Sequence, residues 1–107
     1  MTAAHPTERL DDTVHQRVRL GILAVLAEVP KADFTFLRQT LSLTDGNLAT
    51  HLQVLEAAGY VKITRTTKGR RPKTSVAATA AGRRALEREV EALRELVARI
   101  GGPAVKA

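Results

Sequence analysis

The 107-residue chain has no cysteine and no tryptophan, and its aromatic residues are Phe34, Phe36 and Tyr60 alone. Without thiols, disulfides, thiolate metal sites and thiol redox sensing are excluded. With so few rings, aliphatic side chains and alanine must fill the core. No apolar run approaches the roughly 18 residues of a membrane span, and no signal-peptide pattern is visible. A soluble, cytoplasmic protein with no membrane partner is the expectation. Catalytic groupings are missing as well. His5, His15 and His51 are scattered, and there is no Ser/His/Asp set or phosphate loop. Neither an enzyme nor a cofactor is expected. His15 beside Asp11 and Asp12, with a partner's last helix, is the place to look for a metal. The two carboxylates are better explained as helix-start residues, so no metal is expected.

What is present is positive charge, and it is concentrated. The net charge is +6. From Lys62 to Arg84 there are eight basic residues (Lys62, Arg65, Lys68, Arg70, Arg71, Lys73, Arg83, Arg84) and no acidic one. Such a cluster suits a polyanion. The length fits one domain with a modest core, a size that often gains stability by dimerising.

The stretch from Thr44 to Val61 organises the rest. Thr44 and Asp45 are capping residues that can accept from the free N–H groups of a new helical turn. Leu48, Leu52 and Leu55 then form one apolar stripe on a helix. Gly59 ends it, since glycine enters the left-handed conformation cheaply. The opposite face carries Gly46, Asn47, Thr50, Gln53, Val54 and Ala57. These are short and neutral where a solvated face usually carries Lys and Glu. A face of this kind suits close approach to another surface, such as the floor of a DNA major groove. A plain amphipathic helix with a short outer face is the alternative.

In chain order, residues 1–10 lack a pattern and read as a flexible arm. Asp11, Asp12 and Thr13 read as caps before a helix carrying Val14, Val18, Ile22, Val25, Leu26 and Val29. That helix is apolar nearly all round, so it needs cover on more than one side. Pro30 ends it, and Lys31 to Asp33 reads as a short connection. Phe34, Leu37 and Leu41 mark a second helix, joined by about four residues to the organising one in a helix-turn-helix arrangement. Alternation from Val61 to Arg65 predicts a strand, residues 66–73 a basic turn, and Thr74 to Ala78 a returning strand. A last helix is predicted from a cap near Thr79 to about Ile100. Its Leu86, Val90, Leu93, Val97 and Ile100 repeat at coiled-coil spacing, with Glu87, Glu89, Glu91 and Glu95 interleaved among arginines as surface charge support. Residues 101–107 read as a loose tail. The fold class is therefore α+β and mostly α, a helix-turn-helix followed by a β-hairpin and a long C-terminal helix.

Four segments resemble the winged-helix transcriptional regulators of the MarR and ArsR type, and most of all the small stand-alone bacterial members. They are His15–Leu23, Leu43–Leu52 with Leu55–Val61, Gly69–Thr74 and Thr79–Leu86. The resemblance implies a winged helix-turn-helix DNA-binding domain over residues 11–78 and a dimerisation helix over 79–100. Such regulators often carry Lys or Arg just after the Thr-His-Leu triplet, where this chain has Gln53-Val54. That departure shifts phosphate contact toward the wing.

Physics and resemblance together place the helix of about 44–58 in the major groove. Asn47, Thr50 and Gln53 face base edges, and Thr44 with the N–H groups of Asp45 and Gly46 holds a phosphate. His51 lies between the core and outer faces, able either to pack or to touch a phosphate. In the wing of residues 66–74, Arg70, Arg71 and Lys73 reach the minor groove, and Lys68 and Arg65 approach the backbone. Val14, Val18, Leu86, Val90, Leu93, Val97 and Ile100 are expected at a homodimer interface. The function expected is a sequence-specific double-stranded DNA-binding regulator, a repressor acting on a palindromic operator. Alternatives are a protein-interaction module or a non-specific architectural DNA-binding module. The resemblance also implies a small-molecule effector site between the dimerisation helices and the DNA-binding lobe, and the sequence does not identify the effector.

Overall fold

The computed structural model describes residues 5–68 and 71–101. Helices α1 (Arg17–Glu28), α2 (Phe34–Thr40), α3 (Asp45–Ala57) and α4 (Ala80–Gly101) surround strands β1 (Ala32–Asp33), β2 (Val61–Lys68) and β3 (Arg71–Ala78). The strands form one antiparallel sheet in the order β1-β3-β2. Mostly helical, with a hairpin and a long last helix, the architecture is the α+β class read from the sequence.

The core forms where the apolar stripes of α1, α2 and α3 converge on the sheet. Ile22, Leu23, Leu26, Leu37, Leu48, Leu55 and Val76 are buried there together with Val14. Both ends of the helix-turn-helix are locally encoded. At the end of α2, Ser42 N–H donates to Gln39 O and Leu43 N–H to Arg38 O. This is the paired closure that ends many helices, and it puts the central residue in the left-handed region. Here that residue is Ser42, with φ of 55°. The same pair recurs after α3, from Gly59 N–H to Glu56 O and Tyr60 N–H to Leu55 O, with Gly59 at φ of 80°.

Several expectations are corrected. The segment read as a loose arm contains a 3-10 turn, Pro6–Arg9, capped by His5, with Pro6 buried and the turn packed on α4. Arg9 pairs with Glu95 of α4. The first helix begins at Arg17, not near Val14. Its cap is Gln16, whose side-chain oxygen accepts from Val18 and Arg19 N–H. Asp11 does not cap α1 because its carboxyl is used elsewhere: Oδ1 accepts from Thr13 N–H and Oδ2 from the Tyr60 hydroxyl. The supposed connection Lys31 to Asp33 contains β1, where Ala32 pairs with Val76 and Asp33 with Ser75. The wing strands are also longer than expected. Pairing continues from Val61↔Ala78 to Lys68↔Arg71. Threonines at 64, 66 and 67 favour strand. Pro72 is tolerated because β1 does not extend along that part of β3 and needs no N–H donor from it.

The last helix differs most. Its buried residues are Gly82, Ala85, Glu89 and Ala92, and these face the chain's own N-terminal segment and core. This stripe lies one residue back from the predicted seam, a rotation of about 100°. Glu89, expected on the surface, has 0% exposure. Its Oε1 accepts from Asp11 N–H at 3.1 Å, and its Oε2 lies 2.7 Å from His15 Nδ1. Small residues around it let the helix lie close. A Cβ on Gly82 would sit 2.1 Å from the carbonyl oxygen of Tyr60.

Candidate nucleic-acid interface

Helix α3 is fixed on its inner side by Leu48, Leu52 and Leu55, all buried. Its start is held by Thr44, whose Oγ1 accepts from Asn47 N–H at 3.1 Å. With the inner stripe anchored, Gly46, Asn47, Thr50 and Gln53 are carried outward, and all are exposed. Thr50 does not present its hydroxyl hydrogen, because Oγ1–H donates to Gly46 O at 2.9 Å. It therefore offers a methyl group and an acceptor oxygen. Asn47 and Gln53 keep both donor and acceptor for a base edge.

Charge is arranged around this neutral face. Asp45, which alone would repel phosphate, lies 3.0 Å from Arg38 Nε on α2. Sequence reasoning passed over Arg38, and only the folded turn brings it beside the start of α3. On the other flank, Arg65 of β2 and Gln53 of α3 line one shallow cleft of about 100 Å³ with Ala49, Leu52, Ile63, Phe34 and Thr74. Helix α3 and the hairpin thus share a concavity. Arg65 and Arg71 are exposed. Lys73 lies 3.5 Å from Asp33 Oδ2, so part of its charge is satisfied within the chain. The side chain of Lys68 and all of Arg70 lie outside the described residues.

His51 sits at the edge of the outward face. Its Nδ1 is 3.1 Å from Nη1 of Arg19 on α1. Burial and the nearby Arg19 charge both hold its pKa below the ordinary histidine value. Arg19 also escaped the sequence reading, since nothing local links it to a residue 32 positions away.

Of the residues expected at a dimer interface, Val14 and Val18 are 0% and 6% exposed within the single chain. Their side chains are spent on its own core. Leu86 is partly buried against that core, and Val90 and Leu93 are half-buried. Val97 and Ile100 are 63% and 79% exposed, so the apolar stripe emerges along α4 toward its end. A small cleft of about 180 Å³ lies where α1, β3 and α4 meet, lined by Leu23, Ala27, Ala78, Gly82, Arg83, Leu86 and Glu87. Among the described residues, no cluster of His, Asp and Glu could hold a metal, and no helix is long and apolar enough to cross a membrane.

The comparisons agree with this geometry. An uncharacterised protein of Methanocaldococcus jannaschii is 37% identical over 79 residues, covering 74% of this chain and 86% of that protein. The transcriptional regulator homologue of Pyrococcus horikoshii superposes with a TM-score of 0.81 at 33% identity, covering 88% of this chain and 94% of that one. A MarR-family regulator from Rhodococcus shares the fold with a TM-score of 0.68 at 21% identity, over 92% of this chain and 69% of that one. The sequence model of the winged helix DNA-binding domain matches residues 18–97, and the chain belongs to that family.

Proposed function

We propose that this protein is a cytoplasmic, sequence-specific transcriptional regulator that acts as a homodimer, most simply as a repressor, on a palindromic operator. The observation that carries the reading is the outward face of α3. Gly46, Asn47, Thr50 and Gln53 are exposed, neutral and short, and they run into the cleft shared with Arg65. A helix in the major groove needs groups that approach base edges without a bulky charged layer between. Its flanks need cations for phosphate, and Arg65 and Arg71 of the wing supply them. Thr44, with the free N–H groups of Asp45 and Gly46, holds a phosphate at the start of α3. Residues 11–78 form the DNA-reading unit and α4 the assembly helix. Two copies joined through the exposed stripe of α4 would present two α3 helices to half-sites about 34–36 Å apart.

The test is selection from a random duplex library at two salt concentrations, with mass in solution measured alongside. An enriched palindrome and a dimeric mass are expected, and Gln53→Ala should relax preference at one position of the half-site. Salt-sensitive binding without an enriched motif would instead mean an architectural role. No binding at low salt would indicate a protein-interaction module.

A further inference from the structure

We propose that Arg19 is a positioning residue for DNA binding: it locks the His51 imidazole in one tautomer, so that Nε2–H faces outward as a donor to a backbone phosphate. This rests on the DNA-binding reading above and adds a named contact and a residue behind it.

The argument begins with donor counting. Arginine has five N–H donors and no acceptor. A contact of 3.1 Å between Arg19 Nη1 and His51 Nδ1 can be a hydrogen bond only if Nδ1 is the acceptor. A neutral imidazole that accepts at Nδ1 carries its proton on Nε2. Protonated imidazole would bring two donors face to face beside a guanidinium. The lowered pKa of His51, from burial first and Arg19 second, agrees with the neutral form.

Arg19 is itself held firmly. Its Nε donates to Thr13 O at 2.6 Å, and its Nη2 donates to Asp12 O at 3.3 Å. That segment is anchored in turn by Asp11, whose N–H reaches the buried Glu89 and whose carboxyl takes the Tyr60 hydroxyl. The guanidinium therefore has little freedom to follow another partner. Among the described residues, His51 Nε2 has no partner and no buried side-chain nitrogen or oxygen lacks one, so Nε2 is open to solvent. His51 follows Asn47 by one helical turn, which puts it beside the base-facing residues on the α1 side. Side chains flanking a groove-bound helix meet the phosphates of the groove wall rather than base edges.

The experiment has two readouts. The first is imidazole nitrogen NMR of the intact wild-type protein. His51 should be in the Nε2–H tautomer, and Arg19→Met should shift it toward a mixture. The second is binding to the selected operator and to an unrelated duplex. His51→Ala should weaken both by about tenfold, as loss of a hydrogen bond to a charged group does. The salt slope should stay unchanged, because a neutral donor displaces no counterion. Arg19→Met should weaken binding less than His51→Ala does, by about twofold where the two tautomers become equally populated, and the double variant should be no weaker than His51→Ala alone. His51→Gln, whose amide N–H extends about as far as Nε2–H, should recover most of the affinity. A wild-type Nδ1–H tautomer would overturn the proposal without any variant being made. Wild-type binding with an unaffected His51→Ala would overturn it while leaving the DNA-binding reading intact. Weaker binding on one sequence only would also overturn it, by making His51 a base reader. If the wild type binds no duplex at all, both readings fall.

Discussion

Among the described glycines, Gly82 is the most closely approached, where α4 crosses the turn after α3, and Gly82→Ala tests that approach. The added Cβ would be 2.1 Å from Tyr60 O and 2.9 Å from Tyr60 C. An ordinary C···O contact is about 3.3 Å, so α4 must retreat by roughly 1 Å. Both neighbours are backbone, and no rotamer change can absorb the shift. Retreat also strains the hydrogen bonds that pin the start of α4. Thr79 N–H donates to Tyr60 O at 3.0 Å, and Thr79 Oγ1–H donates to Gly59 O at 2.6 Å. Overpacking costs about 1–3 kcal/mol, and each weakened hydrogen bond up to about 1 kcal/mol more. Alanine's better helix propensity returns about 1 kcal/mol. The net expectation is a destabilisation of about 2 kcal/mol, within a span of roughly 0–4 kcal/mol. Urea unfolding at fixed protein concentration measures it, since dimerisation would otherwise shift the midpoint. Gly46→Ala is the control: nothing lies within 4 Å of its Cβ position, so it should be neutral or mildly stabilising. Equal midpoints for Gly82→Ala and wild type would refute the close approach, and with it the seating of α4.

Three further outcomes follow. Arg65→Ala with Arg71→Ala should weaken binding on every duplex and flatten the log–log salt slope by about 0.9 for each phosphate no longer neutralised; an unchanged slope would exclude phosphate binding by the wing. Leu93→Glu should give monomers by sedimentation without unfolding, because this side chain is only half-buried within one chain; a dimer that persists would move the interface elsewhere. Stability should fall on the acid side. Burial alone would raise the Asp11 pKa, but hydrogen bonds from Tyr60, Thr13 and Val14 and the charge of Arg88 leave it below 3.8. The His51 pKa lies below 6.5. Both groups are depressed on folding, so their contributions are complete above those unfolded values and disappear as pH falls through the folded ones. Urea midpoints measured downward from pH 8 should decline first with His51 and again with Asp11. Tyr60→Phe should reduce the second decline, and a curve that it leaves unchanged would contradict the role given to that hydroxyl.

What could be read in advance was whatever the chain encodes within a few residues. Thr44, the leucine stripe and Gly59 delimit α3 because cap, period and stop are all local. Thr79 marks the start of α4 for the same reason: its Oγ1 accepts from Gly82 N–H at 3.0 Å. The misreadings share one cause. Asp11 to Thr13 have the chemistry of a helix cap, but Tyr60, 49 residues away, claims the Asp11 carboxyl. Strand β1 is two residues long, too short to show a period. Glu89 resembles any charged residue of a long helix until Asp11 and His15 arrive from 78 and 74 positions away. In the candidate site, the outward residues of α3 were legible from period alone. Arg38 and Arg19 were not, because each acts on a different helix from its own.

On the proposed reading, the two stripes of α4 separate folding from assembly. Toward its own chain the helix presents Gly82, Ala85 and Ala92, with Glu89 hydrogen-bonded between them. These residues bury little apolar area, yet they permit the approach that seats the helix against Tyr60. The large side chains sit about 100° round the helix, where the chain covers them least, and exposure grows along the stripe to Val97 and Ile100. A helix needed only to stabilise its own domain would gain more from the opposite arrangement, since burying a Leu, Val or Ile contributes about 1.5–3 kcal/mol. Leaving all five such side chains half-buried or exposed in one chain is the pattern expected when a second copy supplies the missing cover. Val14 and Val18, already enclosed, add nothing to that contact, so the proposed interface belongs to α4 and not to the start of α1. On this reasoning Val97→Ser with Ile100→Ser should weaken self-association while the unfolding midpoint of the dilute monomer stays at the wild-type value. A lowered monomer midpoint would mean that the stripe serves the fold after all.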